Sequence, residues 1–247
     1  VHLHADLIWG LPGEGMAEIR RSFERVLALR PHELQLGFLK FLPGAPIRSL
    51  ITEHGYVFQD EPPYELVRHA ALSADEVLSL KRFEEAFDIY YNAGHFRFTV
   101  ERLLSVAPGW EVFSALADHY AQGDLLFLNH GLEERARHLL TVAQAWLPMA
   151  ELIDLLKLDY CYHHRTRHVP GFLNGGDVEE PREVRQRRRG APDTAFAPFR
   201  HEIHVEGHTA RLVPVREPIW YAFHYPDAEA GYFFRPRVEP VLPAAVA

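Results

Sequence analysis

The chain of 247 residues contains one cysteine, Cys161, which excludes any disulfide framework within it. It contains no apolar run near the roughly 18 residues that a membrane-spanning helix needs, and no visible signal peptide. Positive charge is in the minority. The 26 Lys and Arg residues against 34 Asp and Glu give a net charge of −8, which argues against general nucleic-acid binding. These absences predict a soluble, cytoplasmic protein with no membrane partner and no nucleic-acid partner. What is present is ordinary for a globular chain: 47% hydrophobic and 24% charged residues, enough for one large or two small cores.

The first forty-six residues organise the rest. Val1–Trp9 reads as a strand, followed by a turn rich in Gly and Pro at Gly10–Gly15. Met16–Leu29 has helical period, with Ile19, Phe23, Val26, Leu27 and Leu29 near one face. Arg30-Pro31 ends that helix, because a residue before proline is pushed out of the α region. Leu34–Leu42 is a second apolar run of strand length. Strand, helix and strand at this spacing form a βαβ unit, so the strands are expected to be parallel. The first strand alternates: Leu3, Ala5, Leu7 and Trp9 on one face, His2, His4, Asp6 and Ile8 on the other. The helix is expected to cover the apolar face, over Leu3, Leu7, Leu34, Leu36 and Phe38.

HADLIWGLPGE (His4–Glu14) followed by LQLGFLKFLPGAP (Leu34–Pro46) resembles the fifth and sixth barrel strands of radical S-adenosylmethionine enzymes, most closely the group with an N-terminal cobalamin-binding domain. EHGYVFQDEPPYELV and LSLKRFEEAFDIYYNAGHF resemble the domain of unknown function that follows the barrel in some of those proteins. The resemblance implies a cofactor site for S-adenosylmethionine. Asp6, Ile8, Gly10 and Glu14 fall on the family's adenine- and ribose-binding strand and turn. Gln35 lies on the sixth strand, and Lys40 near its end. Asp6 stands where the family has its first Gly. Catalytic residues are not implied at any position. The family's [4Fe–4S] cluster needs three cysteine thiolates, and Cys161 alone cannot supply them. The Asp-x-His-x-x-Gly cobalamin motif is also missing, since Asp118 and His119 are adjacent. The chain opens on Val1, within a strand, and reads as the C-terminal part of a longer protein. Its expected partners are the N-terminal half of the barrel and a cobalamin-binding domain, with the substrate, small or macromolecular, unspecified and cobalamin left open as a further cofactor. The alternative is a stand-alone binding or scaffold protein without the catalytic half.

Further along, Ile47–His54 reads as a short helix and Gly55–Tyr64 as a connection. Ser73 and Glu76 have capping-box spacing at the start of a helix whose Phe83, Phe87, Tyr90 and Tyr91 read as core. Gly94 suits its C-terminal end. Residues 96–105, 110–122, 132–147 and 149–160 read as further helices. Cys161, His163, His164 and His168 offer metal-ligand chemistry, with His164 and His168 one helical turn apart, but Arg165 and Arg167 oppose a cation and a structural role is favoured. His201-Glu202-Ile203-His204 is one residue short of the zincin spacing. No metal ligands are assigned. Pro170–Pro192 reads as a linker carrying the basic run Arg185–Arg189, a docking site for RNA or an acidic partner if it has any function. Phe199–Val205, Thr209–Val215 and Ile219–His224 read as strands, with a tight hairpin at Glu206–His208.

The expected fold is thus α/β plus mainly α. A partial parallel (β/α) barrel segment covers 1–55 and a helical accessory domain 56–169. A linker at 170–192 leads to a small antiparallel β meander within 193–247. If the GLPGE turn is only structural, Glu14→Ala is expected to change stability little. Anaerobic reconstitution of the chain with iron and sulfide should yield no stable cluster, because one thiolate cannot replace three; a stoichiometric four-iron chromophore in the absorption spectrum would contradict this.

Overall fold

The computed structural model describes residues 2–123, 130–166, 168–174, 178–226 and 235–241. Its elements in chain order begin with β1 (His4–Trp9), α1 (Met16–Leu27), β2 (Glu33–Phe38), α2 (Ile51–His54), β3 (Val57–Phe58) and β4 (Leu66–Arg68). The helices α3 (Ala74–Phe87), α4 (Arg97–Leu104), α5 (Gly109–Gln122), α6 (Leu132–Ala143) and α7 (Met149–His163) follow. Helix α8 (Arg182–Gly190) precedes three strands, β5 (Thr194–Glu206), β6 (Thr209–His224) and β7 (Arg237–Pro240). No helix among the described residues is long and apolar enough to cross a membrane. The chain divides into two compact units. One comprises Val1–Ala93 and Ala107–Leu128, the other Gly94–Val106 and Asn129–Ala247. The division cuts across the boundaries expected from sequence, because α5 returns to pack on α3.

In the first unit β1 and β2 pair in parallel, with Asp6 opposite Gln35 and Ile8 opposite Gly37. Trp9, Leu34, Leu36 and Phe38 are buried on one face, and Ile19, Phe23 and Leu27 of α1 are buried with them. Leu3, expected under the helix, is instead 43% exposed. The core is a cluster of rings: Phe23 meets Phe83 at 5.0 Å and Trp110 at 5.8 Å, while Trp9 meets Phe38 at 5.8 Å, all edge to face. Each ring taken from water stabilises the unit by roughly 2–3 kcal/mol. Glu24 of α1 accepts a hydrogen bond from the Trp110 N–H at 2.7 Å, filling an orphan donor of the first turn of α5. Ser73 and Glu76 form the expected reciprocal cap of α3. A π turn over Asp88–Asn92 extends α3, and Gly94 then takes φ +70°. The π turn has a structural consequence: Asn92 bonds both the N–H and the C=O of Leu34 at 3.0 Å, so a side chain closes that stretch of the β2 edge. Among the described residues β1 pairs with no strand other than β2, and no closed barrel is present. The stretch expected to be part of a barrel is a two-stranded parallel sheet here. The connection 55–64 also holds more order than expected, for β3 pairs antiparallel with β4 around it.

In the second unit α7 is buried nearly all round, including Asp154, Lys157 and Asp159. Asp159 accepts from Phe98 N (2.8 Å), Thr99 N (2.9 Å) and Thr99 Oγ1 (2.6 Å), capping α4 from a neighbouring helix. The linker expected at 170–192 contains a 3-10 turn at Gly171–Leu173 and helix α8, whose Val184 packs with Phe196, Ala222 and Val241. Val184, with the Arg188 guanidinium over the Phe196 ring, docks this otherwise charged helix. The C-terminal sheet is antiparallel, in the order β5-β6-β7. The turn at Gly207-His208 is where the sequence put it, but the third strand differs. Ile219–His224 continues β6, and the third strand is β7, which ends at Pro240. Pro218 does not break β6, because it lies in a bulge where Arg200 alone stands opposite Val215–Pro218.

His163 and His164 are pushed down to about 3 and about 4, chiefly by burial, and burial pushes Asp159 up to about 7. The histidines stay neutral in the fold but take protons when unfolded, so they remove stability as pH falls below about 6.5. Asp159 acts oppositely, removing stability as pH rises from about 4 to about 7. Burial also raises Glu84 to about 7, so it adds to Asp159 on that side. The double variant His163→Gln, His164→Gln should therefore lose less stability than the natural chain between pH 6.5 and pH 4.5, read as the shift of the urea midpoint.

Candidate functional site

The turn after β1 is built by Gly10 and Glu14. Gly10 adopts φ +87°, and a Cβ there would stand 2.1 Å from Leu66 Cδ2. Only glycine satisfies both conditions. Glu14 Oε2 accepts the N–H groups of Gly10 (2.9 Å) and Leu11 (3.2 Å), while the Gly10 carbonyl accepts the Tyr56 hydroxyl at 3.0 Å. Burial, with the Glu14 charge second, raises the Tyr56 phenol above its ordinary value and keeps it a donor. The carboxylate of Glu14 thus shapes the loop at the carboxyl end of β1.

Alternation along the strands sets the rest. Burying Trp9, Leu34 and Leu36 turns His4, Asp6, Ile8 and Gln35 outward together, and Ile8 is 54% exposed. Beside Ile8 stands Gly37, with no side chain, so an apolar step lies open on the sheet. His4 lies 3.0 Å from Asp6 and 3.2 Å from Glu33, and its bonds to those two carboxylates raise its pKa. Lys40 is exposed past the end of β2, in an antiparallel bridge with Glu65. The structure therefore brings Asp6, Ile8 and Gln35 onto one face and places Gly10 and Glu14 at its carboxyl end. Lys40 stands apart from that face. The face offers acceptors, an amide and an apolar platform, which suits binding a flat polar ligand; it holds no nucleophile paired with a base.

The histidine pattern after α7 resolves differently from its expectation. His164 is extended at the C-terminus of α7, so His164 and His168 share no helical face. Among the described residues no group of three His, Cys, Asp or Glu is placed to hold a metal ion. On β5 the strand alternation buries His201 and exposes His204, as the three-residue spacing requires. Arg188 of the basic run pairs with Glu180 at 2.7 Å, and its guanidinium lies 5.4 Å from the Phe196 ring.

Sequence reasoning missed one cluster altogether. Asp154 Oδ1 accepts from Lys157 Nζ at 3.1 Å, and Oδ2 takes Arg200 N at 2.7 Å and lies 2.8 Å from His201 Nδ1. Lys157 also donates to the Pro198 carbonyl, with the Phe199 ring 4.7 Å from Nζ. A cavity of about 80 Å³ adjoins the cluster. A signal was available: Asp154 and Lys157 share a face at i,i+3 in a helix whose inner positions include Leu152, Leu155, Leu156 and Leu158.

Glu14→Ala, expected from sequence to be mild, should cost about 1–3 kcal/mol because two N–H groups lose their acceptor. Gly10→Ala should cost more, through both the steric overlap and the positive φ. Chemical-denaturation midpoints of the two variants check this ordering.

Residues 52–195 match the family described as Protein of unknown function (DUF4080). No curated protein matches the chain. The match covers more than half of the sequence and runs from α2 to the start of β5, so the chain belongs to the DUF4080 family.

Proposed function

We propose that the chain is the C-terminal part of a radical S-adenosylmethionine enzyme, with the outward face of β1 and β2 contributing to the site for the adenosine of S-adenosylmethionine. The observation that carries the reading is the parallel β1–β2 pair, which ends in the GLPGE turn and presents Asp6, Ile8 and Gln35 on one uncovered face. The residues present fit a nucleoside. The open step made by Ile8 and Gly37 suits a flat base, and Asp6 and Gln35 offer an acceptor and an amide at the next register position. Gly10 and Glu14 fix the turn that bounds this face, and Lys40 would approach from beyond β2. When bound with its cluster, S-adenosylmethionine supplies a reductively generated radical that abstracts hydrogen from a substrate.

The residues do not fit the cluster itself. Cys161 is the one cysteine, it is buried, and that burial pushes its thiol up to about 12. In this reading the three thiolates belong to the N-terminal half of the barrel, and a cobalamin-binding domain would be a further neighbour. The same lone, inert thiol favours the second reading, a binding or scaffold protein without the chemistry. Saturation-transfer NMR separates the two. Transfer from protein methyls to the adenine protons of S-adenosylmethionine, lost in Ile8→Asp, is the expected result. Ile8 is exposed enough for that change to leave the fold intact, and absence of transfer in the natural chain would favour the scaffold.

A further inference from the structure

The net charge of −8, which argues against nucleic-acid binding by the chain as a whole, is not evenly spread. The first unit holds 17 of the 34 acidic and 9 of the 26 basic residues, so it carries all of that charge and the second unit is neutral. Within the second unit α8, REVRQRRRG, concentrates five arginines in nine residues. At about 100° per residue, Val184 and Arg188 fall on the side that meets Phe196. Arg182, Arg185 and Arg189, with Gln186 among them, fall away from that side, and all four are exposed. The helix's one acid, Glu183, lies off this row, one turn before Arg187. We propose that the row of Arg182, Arg185 and Arg189 binds the sugar–phosphate backbone of a single-stranded nucleic acid.

The stability of the helix does not explain the row. Arg182 and Arg185 stand at i,i+3 and Arg185 and Arg189 at i,i+4, where like charges repel. Arg182 is also the first helical residue, the end at which the helix dipole disfavours a cation. That dipole favours only the cations of the last turn, Arg187 to Arg189. Among the described residues Arg188 alone of the five forms an ion pair, with Glu180. Arg185 donates to the Glu180 carbonyl, which leaves its charge uncompensated. A nine-residue helix has little propensity to spare, yet it sets three guanidinium groups in a row with no carboxylate among them. An external anion supplies what the row lacks.

Two features select the anion. From Arg182 to Arg189 the helix rises about 10 Å, a line along which guanidinium forks can take successive phosphates. In addition, no large hydrophobic side chain after Met149 is exposed among the described residues. A protein partner, acidic or not, needs an apolar or aromatic anchor at the centre of its interface, whereas binding to a phosphodiester chain is carried by charge. Trp220, half-buried against the cluster that holds Val184, adds a ring on which an unpaired base can stack.

Fluorescence anisotropy of a labelled oligouridylate of about twelve nucleotides, titrated with the full chain, tests the proposal. Three neutralised phosphates predict an affinity that falls roughly 15–20-fold between about 50 and 200 mM salt, from a slope of about −0.7 per phosphate on logarithmic axes. An oligothymidylate of the same length should bind alike, since phosphate contacts do not read the sugar. The triple variant Arg182→Gln, Arg185→Gln, Arg189→Gln should lose about tenfold or more in affinity at the lower salt and nearly all of the slope. Removing like charges from an exposed face should leave the helix folded. Arg211→Gln with Arg216→Gln, exposed arginines of β6, should bind as the natural chain does. Cross-linking to a thiouridine-substituted oligonucleotide needs no variant, and the adducts should map to 182–189 or to Trp220. No binding at the lower salt, an unchanged slope in the triple variant, or cross-links confined to other segments would overturn the proposal. Tighter binding of a polyglutamate of equal length would overturn the choice of a nucleic acid.

Discussion

The first unit depends on a constraint of strand geometry. Side chains alternate along β1 and β2, so burying Trp9, Leu34, Leu36 and Phe38 against α1 and the aromatic cluster forces Asp6, Ile8 and Gln35 outward. Ring packing around Phe23 and Phe83 is what makes that orientation the stable one. A slip of one residue would expose the rings and bury the carboxylate. The open face is thus a consequence of the core, and its chemical content follows from which residues occupy the outward register positions.

The second unit solves a different problem, the backbone groups that irregular geometry leaves without partners. The start of α4 and the bulge between β5 and β6 each expose N–H groups inside the protein. Asp159 takes two of the first set and Asp154 takes one of the second. Both sit on α7, a helix otherwise lined with leucine, so one element carries the charges that tie α4 and the sheet to it. A buried carboxylate is costly unless fully bonded. Asp154 meets that condition partly through Lys157, which explains the presence of a cation but not the choice of lysine over arginine.

Much of the local architecture was legible in the sequence. The parallel pair, the capping box at Ser73, the ring stripe of α3, the hairpin at Gly207-His208 and the mismatched spacing of His201 and His204 all depend on residues a few positions apart. Helix α8 was hidden by its charge, because Val184 is its one buried residue. The break expected between Thr209–Val215 and Ile219–His224 is instead a bulge that carries β6 through Pro218.

By itself the sequence determined the βαβ start and the helices α3 to α7, the two faces of β1 and β2 and the absence of a thiolate set for a cluster. Those follow from periodicity, turn chemistry and composition, which act over a single turn or strand. Tertiary structure alone decided the rest. Gly10 is required by Leu66, Leu34 is bonded by Asn92, 58 residues away, and Asp154 meets Arg200 and His201, 46 and 47 residues on. Contacts of that range leave no periodic trace, because each is fixed by how packed elements fall together and not by the residues beside it in the chain.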